Sequence, residues 1–231
     1  MAIALFDLDE TLIDGDSDYL WGRFLAREGV VDGARYEAEN RRFYEDYLRG
    51  TLDIDAFLRH QLAPLAALEP DRLEGLRGRF LREEIEPRIL PAARALIARH
   101  RAAGDRPVII TATNRFITGP IARLLGVEDL IATEPERGPD GRYTGRHAGI
   151  PAFREGKVRR LRAWLAEHGL DLAGSWFYSD SHNDLPLLEL VEHPVAVDPD
   201  PRLARVARER GWPVISLRGN AAETAGGTGA P

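Results

Sequence analysis

Residues 3–12 read Ile-Ala-Leu-Phe-Asp-Leu-Asp-Glu-Thr-Leu. The apolar run is long enough for a strand buried on both faces, and it is closed by two aspartates one residue apart and a threonine. Side chains alternate along an extended chain, so Asp7 and Asp9 can meet one ligand only where the strand ends and the backbone turns. In an open α/β sheet that carboxyl end is where ligands bind. Two carboxylates there suit a nucleophile and a proton carrier, with a divalent cation to suppress their mutual repulsion. The same segment also reads as a strand followed by an acidic turn, so the rest of the chain has to decide.

A chain of 231 residues can bury a substantial core. A hydrophobic share of 44% with 29% charged residues is that of an ordinary soluble globular protein. The absence of cysteine removes disulfides and thiolate metal sites and suits a cytoplasmic protein. No apolar stretch approaches the roughly 20 residues of a membrane span, and the aspartates that interrupt the first apolar run argue against a signal peptide. A net charge of −6 argues against nucleic-acid binding. Lys+Arg total 31, yet Lys157 is the only lysine. Lysine offers a compact ammonium that can point at a single oxygen, whereas arginine offers a wide planar fork. A solvated helix surface is the plain alternative for Lys157.

Between the first strand and residue 86 the apolar spacing is helical throughout. Leu20, Trp21, Phe24 and Leu25 mark a first helix capped by Ser17 or Asp18, and a second runs from about Gly33 to Leu48. Ile54, Phe57, Leu58 and Leu62 mark a third behind Asp53, and Leu73, Leu76, Phe80 and Leu81 a fourth. From Pro91 strand and helix patterns alternate, with short strands at Val108–Ile110, Asp129–Ala132, Trp176–Tyr178, Val195–Val197 and Val214–Ser216. Helices are expected at Ala92 to Ala103, through Ile117 to Leu125, through Lys157 to Leu165, through Leu187 and Leu190, and near Arg202 to Arg210. Pro135 to Gly149 reads as a hairpin. The expected fold is therefore α/β, a Rossmann-like parallel sheet with helices on both faces and an all-helical cap inserted after the first strand. Residues 1–14 and 87–217 form the core, 15–86 the cap, and 218–231 a disordered tail.

The polar residues at strand ends make an ordered set. Asp7 and Asp9 close the first strand, Thr111 the second, Lys157 opens a later helix, and Asp180 and Asp184 follow the Trp176 strand. Each has a plain structural reading alone, but their joint order resembles the four motifs of the haloacid dehalogenase-like superfamily over residues 3–190. The helical insertion resembles the cap of its phosphoserine-phosphatase-like branch. Motif four there is usually Gly-Asp-x-x-Asn-Asp; here Ser179 stands for the glycine, while Asp180, Asn183 and Asp184 are kept. The resemblance implies a phosphatase that binds Mg²⁺ through Asp7, the backbone carbonyl of Asp9 and Asp180, with Asp184 in or near the coordination shell. Asp7 would be the nucleophile, Asp9 the general acid and base, and Thr111 and Lys157 the holders of the phosphate oxygens. Thr11 braces the turn.

The branch also suggests which ester. In phosphoserine phosphatases an acidic residue nine positions past the nucleophile receives the substrate ammonium, and Asp16 stands there, with Asp18 nearby. The arginine that clamps the substrate carboxylate aligns with Gln61 in Leu58-Arg59-His60-Gln61-Leu62. Arg59 lies about 200° away around the helix and cannot replace it. An ammonium pocket without a carboxylate clamp suits an amino-alcohol phosphate. The stretches Asp16 to Trp21 and Thr111 to Asn114 resemble those of histidinol-phosphate phosphatases, in which Tyr19, Trp21 or Phe24 would stack on the imidazole. Asn183 is placed with Asp16 and Gln61 among the substrate-binding residues. Phosphoserine is the second choice and a broad range of small phosphomonoesters the third. The partner expected is a small phosphorylated metabolite, with no nucleic acid or membrane, and a monomer or homodimer. A phosphoaccepting or phosphate-binding module without turnover is the alternative of another class, but it needs neither Asp9 nor a large insertion.

Overall fold

The computed structural model describes residues 2–219. The strands are β1 (Ile3–Phe6), β2 (Arg106–Asn114), β3 (Asp129–Arg137), β4 (Tyr143–Ala148), β5 (Trp176–Ser179), β6 (His193–Val197) and β7 (Val214–Ile215). They form one sheet in the order β4-β3-β2-β1-β5-β6-β7, parallel except for β4. The expected Rossmann-like α/β sheet is present.

From β1 the chain builds β2, β3 and β4 outward on one side and then returns to place β5 on the other side of β1, and this reversal of strand order opens a crevice at the carboxyl ends of the three strands. Phe6 is in register with Ile109 on one neighbour and Tyr178 on the other. Asp7, Thr111 and Asp180 therefore all emerge within two residues of one row.

Alternation along β1 builds two cores. Ala4 and Phe6 join Ile109, Tyr178 and Val197 on one face, under α5 (Pro91–Ala102) and α6 (Arg115–Leu124). Ile3 and Leu5 join Val108, Ile110 and Phe177 on the other, under α7 (Glu155–His168), α8 (Leu185–Leu188) and α9 (Pro201–Arg210). Every residue of β1 is buried, as a strand covered on both faces requires.

Between β1 and β2 lie α1 (Ser17–Arg27), α2 (Gly33–Arg49), α3 (Ile54–Ala67) and α4 (Pro70–Phe80). A single widened helical turn at Leu81–Ile85 and a tight one at Glu86–Arg88 return the chain to the sheet. The apolar stripes of these helices do not make a separate core. Trp21, Phe24, Leu58, Leu62 and Phe80 are continuous with the Phe6 cluster, and Trp21 stacks on Phe24 with ring centroids 5.7 Å apart. Trp21 and Phe24 are both 1% exposed, so neither is free to stack on a substrate, because burial of large aromatic area outweighs that use; of the three aromatic residues named for that role, Tyr19 is the exposed one.

Other differences from the sequence reading are local. The cap of α1 is Asp16, whose carboxylate accepts the Tyr19 amide, rather than Ser17 or Asp18. The helix at Leu187 ends before Leu190. Strand β2 continues past Thr111 to Asn114 through a register shift, because polar side chains there find partners across the crevice. The expected hairpin forms from β3 and β4, and β4 lies along α3. At Gly145 a Cβ would stand 3.4 Å from that of Ala66, and φ is +79°, so glycine suits both the turn of the backbone and the approach. The tail expected from residue 218 begins with an anchored residue: Arg218 donates to Asp14 at 3.0 Å. Residues 220–231 lie outside those described.

Candidate active site

The crevice gathers residues from six segments. Backbone strain marks its first turn: the Asp7 amide donates to the Tyr178 carbonyl at 2.9 Å, and the chain then folds back through Glu10 at φ +56°. Asp7 ends 7% exposed. Lys157 Nζ donates to Asp7 Oδ1 at 2.9 Å and to Asp184 Oδ2 at 2.7 Å. The lone lysine thus sits between two carboxylates that lie far apart in the chain. It occupies the first turn of α7, after Arg154 at φ +50°. Gly156 makes the bend possible, since a Cβ there would stand 2.0 Å from the Pro151 carbonyl oxygen.

Asp9 turns away from that pair. Its Oδ1 accepts the Ser17 amide at 2.7 Å, and its Oδ2 accepts the hydroxyls of Thr113 at 2.8 Å and Thr111 at 3.3 Å. The side chain therefore faces the start of the inserted helices. Thr11 Oγ1 donates to Asp180 Oδ1 and accepts the Asp180 amide, both at 3.1 Å, which braces Asp180 against the first turn. Ser179, in the position where glycine is usual, donates to Asp184 Oδ2 at 2.7 Å and accepts the Ser181 amide at 3.1 Å.

These charges are imperfectly balanced. Burial pushes the Asp7 carboxyl up to about 7; the Lys157 ammonium opposes this and Asp184 adds to it. Burial, then Asp7 and Asp184, hold Asp180 well above the usual carboxylate range. Burial works against the charge of Lys157, but Asp184 and Asp7 outweigh it, and the ammonium titrates above its ordinary range. One ammonium faces three buried or half-buried carboxyls, so the pocket lacks positive charge. Among the described residues no three His, Cys, Asp or Glu side chains converge as a ready-made cage. A hard cation that keeps several waters does not need one, because one or two carboxylates and a carbonyl suffice. The donor set fits Mg²⁺.

The residues expected to read the substrate are spread differently. Asp16 is exposed, yet it stands where dense protein surrounds it, as on a cleft floor. That surround, then Asp9, pushes its carboxyl up to about 7. Gln61 is not in the cleft: it is 2% exposed, its Oε1 accepts from Tyr36 and its Nε2 donates to Asn40 at 3.2 Å. The polar network between α2 and α3 claims it. Asn183 Oδ1 accepts from Arg154 Nε at 2.8 Å, beside a contact between Tyr47 of α2 and Ser181. Thr113 and the anchoring hydroxyl of Ser179 were not foreseen. The Thr-x-Thr spacing of Thr111 and Thr113 was the available signal for the first. Nothing in the sequence pointed to the second.

The family model for haloacid dehalogenase-like hydrolases matches residues 4–189. The chain belongs to the haloacid dehalogenase-like hydrolases. It is 49% identical over 219 residues to a histidinol-phosphatase of Neisseria meningitidis serogroup C (strain 8013), covering 94% of this chain and 99% of that protein. It is 34% identical to the phosphoserine phosphatase SerB1 of Mycobacterium tuberculosis (strain ATCC 25618 / H37Rv), over 94% of this chain and 71% of that one. The crystal structure of a protein of unknown function from Bordetella pertussis Tohama I superposes with a TM-score of 0.88 at 49% identity, covering 94% and 98% of the two chains. Within this hydrolase family the chain is a phosphatase. No described helix is long and apolar enough to cross a membrane.

Proposed function

We propose that this phosphatase hydrolyses L-histidinol phosphate through an aspartyl-phosphate on Asp7, with Mg²⁺ as cofactor. One observation carries the chemistry: Lys157 holds Asp7 Oδ1, and among the described residues nothing hydrogen-bonds Oδ2, which is left to attack. Asp7, Asp180 and the backbone carbonyl of Asp9 would hold the cation, with Asp184 behind them bonded to Lys157 and Ser179. Mg²⁺ bound there supplies the charge that lets a phosphate dianion approach a carboxylate.

In the first step Asp7 Oδ2 forms a bond to phosphorus while the bond to the leaving oxygen breaks. Asp9, steered by Ser17, Thr111 and Thr113, gives its proton to that oxygen. In the second, water attacks phosphorus, Asp9 takes its proton and Asp7 is released. Lys157 Nζ and Thr111 Oγ1 steady the non-bridging oxygens, and such positioning supplies most of the rate in phosphoryl transfer.

Residues 15–86 act as the cap over this site. Asp16, the N-cap of α1, meets the substrate ammonium. The end-to-end likeness to a histidinol-phosphatase supports the same ester. The test is kcat/KM on a panel of phosphate esters, with and without chelator. Chelator-sensitive turnover with histidinol phosphate at least about tenfold ahead of phosphoserine is expected. A preference for phosphoserine overturns the substrate, and chelator-insensitive hydrolysis overturns the mechanism.

A further inference from the structure

Asp18 is an acidic residue of this crevice for which the chemistry above has no use. It lies in the first turn of α1, 3% exposed, and among the described residues it forms no ion pair. Its Oδ1 accepts one hydrogen bond from Asn114 Nδ2 at 3.1 Å. Two neighbouring polar groups are also short of partners. Asn114 is 1% exposed and Ser17 wholly buried, yet among the described residues Asn114 Oδ1 and Ser17 Oγ have no hydrogen-bond partner. Buried polar atoms are normally satisfied, and a buried carboxylate without a cation is costly. A carboxylate, an amide oxygen and a hydroxyl oxygen have one capacity in common, which is to accept. Ser17 can also donate, but the Asp18 carboxylate and the Asn114 amide oxygen can only be completed by a donor.

The position relative to Asp9 says which donor. Thr113 donates to Asp9 and the next residue, Asn114, donates to Asp18, so adjacent residues of β2 tie the proton carrier to this carboxylate. The leaving oxygen is protonated at Asp9, and the organic part of the ester continues on that side. Asp16 lies two residues before Asp18 and on the exposed side of the same turn. Tyr36 of α2 packs against α1, and burial, then the charges of Asp18 and Asp16, hold its phenol above the ordinary range. It can lie there because residue 22 is glycine; a Cβ would stand 1.9 Å from Tyr36 Cε1.

We propose that Asp18, with Asn114 and Ser17, is a second recognition point of this active site, which takes the ring N–H of an azole carried by the substrate while Asp16 faces its ammonium. The inference rests on the histidinol phosphate reading and deepens it. Histidinol phosphate carries both groups, an ammonium and an imidazole. An ester with an ammonium and a hydrocarbon ring satisfies only Asp16 and adds no donor at Asp18 to the one Asn114 gives.

The experiment compares histidinol phosphate with phenylalaninol phosphate, which keeps the ammonium and replaces the imidazole with phenyl. Wild-type kcat/KM should favour histidinol phosphate by at least about tenfold, because a site built around a hydrogen bond rejects the analogue that lacks it. Asp18→Asn should collapse that ratio, chiefly through KM for histidinol phosphate, and the smaller Asp18→Ser should do the same if the amide disturbs packing. Asp16→Asn should lower both substrates and leave the ratio standing. A ratio that survives in both Asp18 variants overturns the inference alone, as does an equal loss on both substrates. A wild-type enzyme that ignores histidinol phosphate in favour of phosphoserine overturns the functional reading and this inference with it. The wild-type comparison needs no variant to fold.

Discussion

Lys157 Nζ stands 2.9 Å from Asp7 Oδ1, and it makes this contact from a position only 3% exposed. This buried ammonium also reaches Asp184 Oδ2 at 2.7 Å, so it ties one oxygen of Asp7 to a second carboxylate and leaves Asp7 Oδ2 without a hydrogen-bond partner among the described residues. The lone lysine of the chain stands at this junction, in a protein that otherwise uses arginine for positive charge.

Lys157→Arg should lower kcat/KM by about a hundredfold or more although the charge is kept. The planar guanidinium is too wide for a pocket shaped around one ammonium, and misplaced electrostatic stabilisation typically costs that much. Steady-state kinetics beside a control such as Arg59→Lys on the exposed face of α3 make the check; near-equal kcat/KM for wild type and Lys157→Arg would return Lys157 to the status of a compositional accident.

Asp7→Asn should leave the fold intact and remove turnover by about 10⁴-fold or more, since an amide is a very poor nucleophile. Rapid quench with a radiolabelled ester should trap an acid-stable phosphoenzyme in the wild type and none in the variant. Phosphoenzyme in Asp7→Asn would assign the nucleophile elsewhere.

Without divalent cations the protein should lose stability as pH rises. The Asp7 carboxyl titrates at about 7 in the fold against 3.8 for the ordinary group, and Asp180 is raised as well. Between those two values the folded state binds more protons than the unfolded one, so stability falls as pH rises through that window and levels off above about 7. Melting temperatures in chelator should drop by several degrees from about pH 5 to about pH 7.5, at about 2–4 °C per kcal/mol for a domain of this size. Mg²⁺ should restore the most above about pH 7. A chelated protein whose melting temperature rises over that interval would contradict the charge imbalance.

Gln61→Arg should not produce a phosphoserine phosphatase. The position lies behind the cleft, bonded to Tyr36 and Asn40, so the new guanidinium would be buried without a carboxylate. A loss of about 2–4 kcal/mol is expected, read by denaturant titration. Unchanged stability with improved phosphoserine turnover would place residue 61 in the cleft after all.

The order of chemistry along the chain was legible before any coordinates, because it is local. An apolar run ending in Asp-x-Asp reads as a buried strand that delivers carboxylates to a turn. The alternation after Pro91 reads as parallel strands with covering helices. Each such inference needs only neighbouring residues and the period of their side chains. What lay beyond reach were choices between competing partners. Asp16 was foreseen as a substrate contact, but its carboxylate also caps α1. Trp21 and Phe24 suited a stacking role equally well until the Phe6 cluster claimed them. Gln61 was placed correctly on its helix, with Arg59 on the opposite, exposed side, yet the identity of the helix facing it was not written nearby.

By itself, then, the amino-acid order determined the parallel sheet, the inserted helices and the set of strand-end residues from Asp7 to Asp184, since strand and helix periods are properties of short segments. Only the tertiary structure decided that Lys157 joins Asp7 to Asp184, that Thr113 steers Asp9, and that Asp18 lies buried beside Asn114 without a cation. Those relations join segments on different strands and helices. Their distances follow from how the strands pair and which faces bury, and no local pattern encodes that result.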